Sequence, residues 1–124
     1  KLTINAAINP ITALLRIPNG NLLDEPLRSL AAAAAEEAAA IGRSLGLHLP
    51  YTDAAAAALE VAARTAANHS SMYQDAANGR PTEIDAISGA IVRQAERLGM
   101  AAPINTTLWA LGHSSLQPSL EKAL

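Results

Sequence analysis

The 124-residue chain opens on a pattern of side chains with hydrogen-bonding chemistry. Lys1, Asn5 and Asn9 stand at i, i+4 and i+8. Each step of four residues turns about 40° around an α-helix, so the three form one polar stripe. An amine donates, and an asparagine amide both donates and accepts. Asparagines are awkward on an otherwise apolar helix unless something satisfies them. Either a bound molecule does so, or the stripe faces water and Asn9 ends the helix before Pro10. Spacing alone leaves both open.

A second set runs from Ser70 to Glu83. Ser70-Ser71 offers hydroxyls at the start of a short helix, and Glu83 offers a carboxylate in the first turn of another. Helix capping and the helix dipole would explain both without any ligand. Other candidates are weaker. His48, His69 and His113 lie far apart and none has a ligand at i+4, so no helical metal motif is present. No G-x-S-x-G surrounds a serine. None of the glycines forms a G-x-G, which rules out a dinucleotide fingerprint or P-loop within these residues. Asp24-Glu25 and Glu36-Glu37 read as solvated helix charges.

The elements that must position these groups are helices. Alanine occurs 29 times, valine twice and phenylalanine never. Alanine and leucine favour helix, and strand formers are scarce, so the class is all-α. Lys1 to Asn9 is expected as one helix, broken at Asn9-Pro10 because a residue before proline is pushed out of the α region. Ile11 to Leu15 then resumes it. Residues 17–21 read as a turn. A helix is expected from Pro26 at its first position to about Leu45, with Gly46 beyond its end. Thr52 should cap a helix from Asp53 to about Asn68, and Ser70 to Ala77 a shorter one. Thr82-Glu83-Ile84-Asp85 resembles a capping box opening a helix that stops at Gly99. Ile104 to about Leu116 is the last helix, ended by Pro118. The Ala31–Ala35 and Ala54–Ala58 runs read as helix propensity without a functional message.

Length and charge exclude several classes. The chain suffices for one domain, residues 1–124. Without cysteine there are no disulfides or thiolate metal sites. A net charge of −2 lacks the basic excess of a nucleic-acid binder. Apolar runs such as Ala54–Leu59 fall far short of the roughly 18 residues that a membrane span needs. No signal-peptide layout is visible at the start, and a cytoplasmic location is expected.

Together the segments resemble a known family. Residues 1–14, from Lys1-Leu2-Thr3-Ile4-Asn5 through Asn9-Pro10 to Leu14, look like the opening of the C-terminal domain of ketopantoate reductases. Pro18-Asn19-Gly20-Asn21-Leu22 is similar to the family's next segment. So are Ser70-Ser71-Met72-Tyr73-Gln74-Asp75 and Gly79-Arg80-Pro81-Thr82-Glu83-Ile84-Asp85. Gly89 and residues 99–105 continue the match, which extends to about Leu111.

The resemblance implies a compact helical domain of the 6-phosphogluconate dehydrogenase C-terminal-like type. It implies a longer enzyme whose N-terminal Rossmann domain binds NADPH and which reduces 2-dehydropantoate to pantoate, on the route to pantothenate and coenzyme A. The family's general-acid lysine falls on Lys1. Its substrate-binding asparagines fall on Asn5, Asn9 and Asn19, its serine on Ser71 and its acidic partner on Glu83. No cofactor is expected on these residues alone, which should be inactive without the nucleotide-binding half. The expected partners are a small 2-oxo acid, the Rossmann domain and a second copy in a homodimer. Reduction of another 2-oxo acid or carbonyl compound is the alternative substrate reading. A non-catalytic helical dimerisation module is the alternative class. A G-x-G-x-x-G ahead of Lys1 in the complete gene product would separate enzyme from module.

Overall fold

A computed structural model describes residues 1–118. Among them it has six α-helices, one 3-10 turn and no strand: α1 (Leu2–Leu15), the turn Asn19–Leu23, α2 (Leu27–Ser44), α3 (Ala54–Arg64), α4 (Ser71–Ala77), α5 (Ile84–Leu98) and α6 (Pro103–Ser115).

The first helix is the axis of the domain and departs from the expected break. It runs unbroken through Pro10, whose ring is fully buried. A proline inside a helix removes one hydrogen bond and costs about 3 kcal/mol or more. Ile8 and Ile11 are almost completely buried on the same helix, each worth about 1.5–3 kcal/mol. Their burial outweighs the proline, because α1 packs against all five other α-helices. It also divides the core. Ala7, Ile8 and Ile11 join Leu22, Leu108 and the alanines of α2 and α3. Ala6 and Ala13 face Met72, Ile84, Ile87 and Ile91 on the other side.

The alanine runs are the surface along which α2 and α3 meet. Ala31, Ala34, Ala35 and Ala39 lie in one cluster with Ala54, Ala58 and Ala62, all at 0–1% exposure. Side chains of one carbon let two backbones approach toward the short end of normal helix spacing.

Several boundaries differ from expectation. Pro26 is the N-cap of α2 rather than its first residue. Asp53, not Thr52, caps α3, its carboxylate accepting from Ala56 N at 2.9 Å. That helix ends at Arg64, and the chain turns back so that Asn68 O accepts from Asn19 N. Helix α5 starts at Ile84 with Glu83 as its N-cap residue. The Thr82 hydroxyl only grazes Ile84 N at 3.4 Å, and Asp85 turns to α6 instead of closing a capping box. Helix α6 begins one residue earlier, on Pro103, where a missing N–H costs nothing.

Glu36 is exposed, as a solvated charge would be, whereas Glu37 is half-buried, and both carboxylates reach the starts of other helices. Glu36 accepts from Ala55 N at 3.1 Å, over the start of α3. Glu37 accepts from Ile104 N at 3.1 Å, Asn105 N at 2.7 Å and the fully buried Asn105 amide at 2.9 Å. Helix α6 has no capping side chain of its own, so a carboxylate from α2 satisfies its orphan N–H groups. Glu37→Ala is expected to lower stability by about 1.5–3 kcal/mol, the range for hydrogen bonds to a charged group. The control Glu96→Ala, on the exposed side of α5, should stay within about 0.5 kcal/mol. Equal shifts of the two variants in chemical denaturation would contradict this role.

Candidate functional site

Because α1 continues past Asn9, Thr12 comes one turn later on the same helix. The fully buried Thr12 hydroxyl donates to Ile8 O at 2.8 Å and shares a 2.8 Å hydrogen bond with the Ser70 hydroxyl. Ser70 in turn accepts from Tyr73 N and caps α4. This contact ties the start of α4 to the middle of α1 and brings Ser71 beside Asn9. Asn9, Ser71 and Glu83, from three separate elements, line one small cleft together with Met72, Asp75 and Ile87.

Capping does not use these groups. Ser70 makes the α4 cap, which leaves the Ser71 hydroxyl uncommitted. Glu83 occupies the N-cap position of α5, yet its carboxylate makes no capping bond. Asn9 is only 8% exposed, and its side-chain amide has no hydrogen-bond partner among the described residues.

The remaining expected residues lie outside this cleft. Asn5 is half-buried one turn before Asn9, and its N–H donates to Lys1 O at 3.0 Å. Lys1 is exposed at the N-cap of α1 and borders a neighbouring apolar groove with Leu2, Ile41, Leu45 and Leu47. Asn19 is held on the 3-10 turn. Its Nδ2 donates to Thr65 Oγ1 at 2.9 Å, while its Oδ1 is buried and unpartnered. The turn sits tightly on the end of α3. Gly20 N donates to Ala66 O, and a Cβ on Gly20 would come within 2.8 Å of the Ala66 Cβ.

Asp75 is the cleft residue to which sequence reasoning assigned no role. Its signal was present, since Ser71 and Asp75 stand at i and i+4 on α4 and so share a face. Its carboxylate pairs with Arg80 at 3.0 Å. The cleft therefore holds two carboxylates, an amide and a hydroxyl.

Helix α6 anchors the start of α5. Trp109 Nε1 donates to Asp85 Oδ1 at 2.8 Å, and His113 Nδ1 lies 2.9 Å from the same oxygen. Close approach is built in from both helices. A Cβ on Gly89 would crowd Trp109 at 3.1 Å, and one on Gly112 would strike Ile84 at 2.6 Å. Partial burial pushes the Asp85 carboxyl up, but hydrogen bonds from Trp109 and His113, with the charge of His113, bring it below its usual 3.8.

Known proteins can be set beside this geometry. The fold and cleft define a helical domain that brings polar groups from three separate elements together. The family of ketopantoate reductase PanE/ApbA C-terminal domains matches residues 1–115. The chain is 44% identical over 112 residues to the 2-dehydropantoate 2-reductase of Pyrobaculum aerophilum, covering 90% of this chain and 40% of that one. A ketopantoate reductase structure from Ralstonia eutropha superposes with a TM-score of 0.85 at 36% identity, over 92% of this chain and 38% of that one. A D-mandelate dehydrogenase solved with NADH and anilino(oxo)acetate superposes with a TM-score of 0.83 at 28% identity, over 93% and 38%. The chain belongs to the ketopantoate reductase C-terminal domain family, and it spans about 40% of the length of the curated relative from Pyrobaculum. No described helix is long and apolar enough to cross a membrane.

Asp85 yields a test of this anchoring. A carboxyl lowered in the folded state adds stability that is present above the unfolded value and lost as pH falls through the folded one. Trp109 is the single tryptophan of the chain, so indole fluorescence reports the contact directly. An acid titration should show a fluorescence step with its midpoint below 3.8, absent in Asp85→Asn. A midpoint above 3.8 would contradict the assignment.

Proposed function

We propose that this chain is the substrate-side domain of a reductase that converts 2-dehydropantoate to pantoate. The observation that carries the reading is the convergence of Asn9, Ser71 and Glu83 on one cleft, with Ser71 and Glu83 both unused in helix capping. NADPH, when bound to such an enzyme, supplies a hydride. This domain does not fit the dinucleotide. Gly46, Gly79 and Gly99 each follow a helix at positive φ, at the negative end of its dipole, where phosphate is not favoured. The cofactor is assigned to an N-terminal Rossmann domain of the longer protein.

The residues here then have separable tasks. Reduction of a ketone leaves an alkoxide that needs a proton and nearby positive charge, and the Lys1 ammonium provides both. Asn5 and Asn9, one and two turns on, orient the substrate, and Ser71 donates to its carboxylate. Asn19, fixed through Nδ2, presents Oδ1 as an acceptor. Glu83 accepts from the terminal hydroxyl, and its neighbour Asp75 keeps a substrate carboxylate away from that end. The likeness to D-mandelate dehydrogenase favours a second reading, reduction of another 2-oxo acid, in which Glu83 has no hydroxyl to hold. Exposed Leu2, Leu45 and Leu47 around the groove beside Lys1 support contact with the Rossmann domain or a homodimer.

Steady-state kinetics of the full-length enzyme separate these roles. Lys1→Ala should lower kcat by about 10²–10⁴-fold, the usual value of general acid catalysis. Glu83→Ala should mainly raise KM, and should narrow the preference for 2-dehydropantoate over an analogue lacking the hydroxyl. Wild-type kinetics for Lys1→Ala would end its assignment as proton donor. An unchanged preference in Glu83→Ala would favour the second reading. The domain alone should oxidise no NADPH in the presence of 2-dehydropantoate.

A further inference from the structure

Thr82, immediately before Glu83, is held in an unusual way. Its backbone N–H donates to Gln117 Oε1 at 2.8 Å, and its hydroxyl donates to the same oxygen at 3.1 Å. Gln117 Nε2 donates back to Thr82 O at 3.2 Å. One side chain, 35 residues away, thereby satisfies both backbone groups of a buried residue. Both peptide planes flanking Thr82 are fixed, and the second carries the nitrogen of Glu83. Gln117 does not act alone. It stands at i+4 from His113 and i+8 from Trp109, both of which hold Asp85 two residues after Glu83. Trp109 and His113 on α6 and Gln117 just beyond its end thus grip the chain on either side of Glu83, and the Glu83 carboxylate makes no capping bond and lines the cleft.

We propose that Gln117 is a positioning residue for Glu83: its amide clamp on Thr82 sets where the Glu83 carboxylate stands in the cleft, and so sets recognition of the substrate's hydroxyl end. This rests on the reading of Glu83 given above. The alternative is that the clamp only stabilises the contact between α5 and α6, which Trp109 and the paired glycines already secure.

The test uses the full-length enzyme and four proteins: wild type, Gln117→Ala, Glu83→Ala and the double variant. Gln117→Ala should raise KM for 2-dehydropantoate by up to about tenfold, equivalent to 1.4 kcal/mol, with kcat changed much less. In the Glu83→Ala background the same substitution should leave KM unchanged, because a residue acting through another shows strong non-additivity. Gln117→Glu keeps the acceptor for the Thr82 N–H and hydroxyl but loses the donor, so its KM should fall between wild type and Gln117→Ala. It also serves if the alanine variant folds poorly. Amide hydrogen exchange adds a readout that needs no substrate: protection of the Thr82 N–H should be lost in Gln117→Ala and retained in Gln117→Glu. Undiminished Thr82 protection in Gln117→Ala would overturn the clamp. A KM increase that persists in the Glu83→Ala background, or a lowered melting temperature with wild-type KM, would overturn its action through Glu83. Wild-type KM in Glu83→Ala, with Thr82 protection still lost in Gln117→Ala, would instead remove the role of Glu83 and leave the clamp standing.

Discussion

Continuation of α1 through Pro10 is the constraint on which the domain depends. A helix broken at Asn9 would turn Thr12 away from Ser70 and release the start of α4. The cleft would then be disturbed, because that contact, with the packing of Met72 against Ala6 and Ala13, holds Ser71 beside Asn9. The proline is tolerated because α1 is buried on all sides, and isoleucine burial exceeds the cost of one missing hydrogen bond. A proline within a helix also leaves the carbonyl four residues earlier, that of Ala6 between Asn5 and Asn9, without its usual donor.

Small residues solve the packing problem that this creates. Six neighbours around one axis require short interhelical distances. Alanine supplies them between α2 and α3, and glycine supplies them where α5 meets α6. Close backbones then allow short polar side chains to reach across. The Glu36 and Glu37 caps, the Thr12–Ser70 bond and the Gln117 clamp all cross between elements. Each satisfies backbone or hydroxyl groups that burial would otherwise leave without partners. Tight packing and polar cross-links are therefore one device, and the cleft inherits its rigidity from them. Rigid placement favours recognition, since a preorganised group spends less of its interaction energy on being ordered.

The charge layout follows from the same scaffold. Two carboxylates, Asp75 and Glu83, share the cleft, and Arg80 neutralises one of them. Lys1 stands at the far end of the α1 stripe, about 12 Å along the axis from Asn9 by helical rise. In the proposed reaction this arrangement gives an asymmetric substrate one favoured direction, carbonyl toward the ammonium and hydroxyl end toward Glu83.

Much of this was readable from residue order. The all-α class, the Ser70 cap and the Gly99 stop follow from local chemistry that acts within a turn or two. So does the alignment of Lys1, Asn5 and Asn9, and their family resemblance marked Asn19, Ser71 and Glu83 as well. Long-range packing settled the rest. Local rules break α1 at Pro10, yet burial against five helices overrides them. Glu36-Glu37 reads as surface charge, because the N–H groups it caps lie on other helices. Gln117 carries no local mark of importance, since its partner Thr82 becomes visible only when the end of α6 is docked on the start of α5. Which asparagine is buried and unpaired, and which is pinned by Thr65, likewise depends on neighbours dozens of residues away. Sequence specifies each donor and acceptor, but burial determines which of them remain free for a ligand, and burial is a property of the whole packed chain.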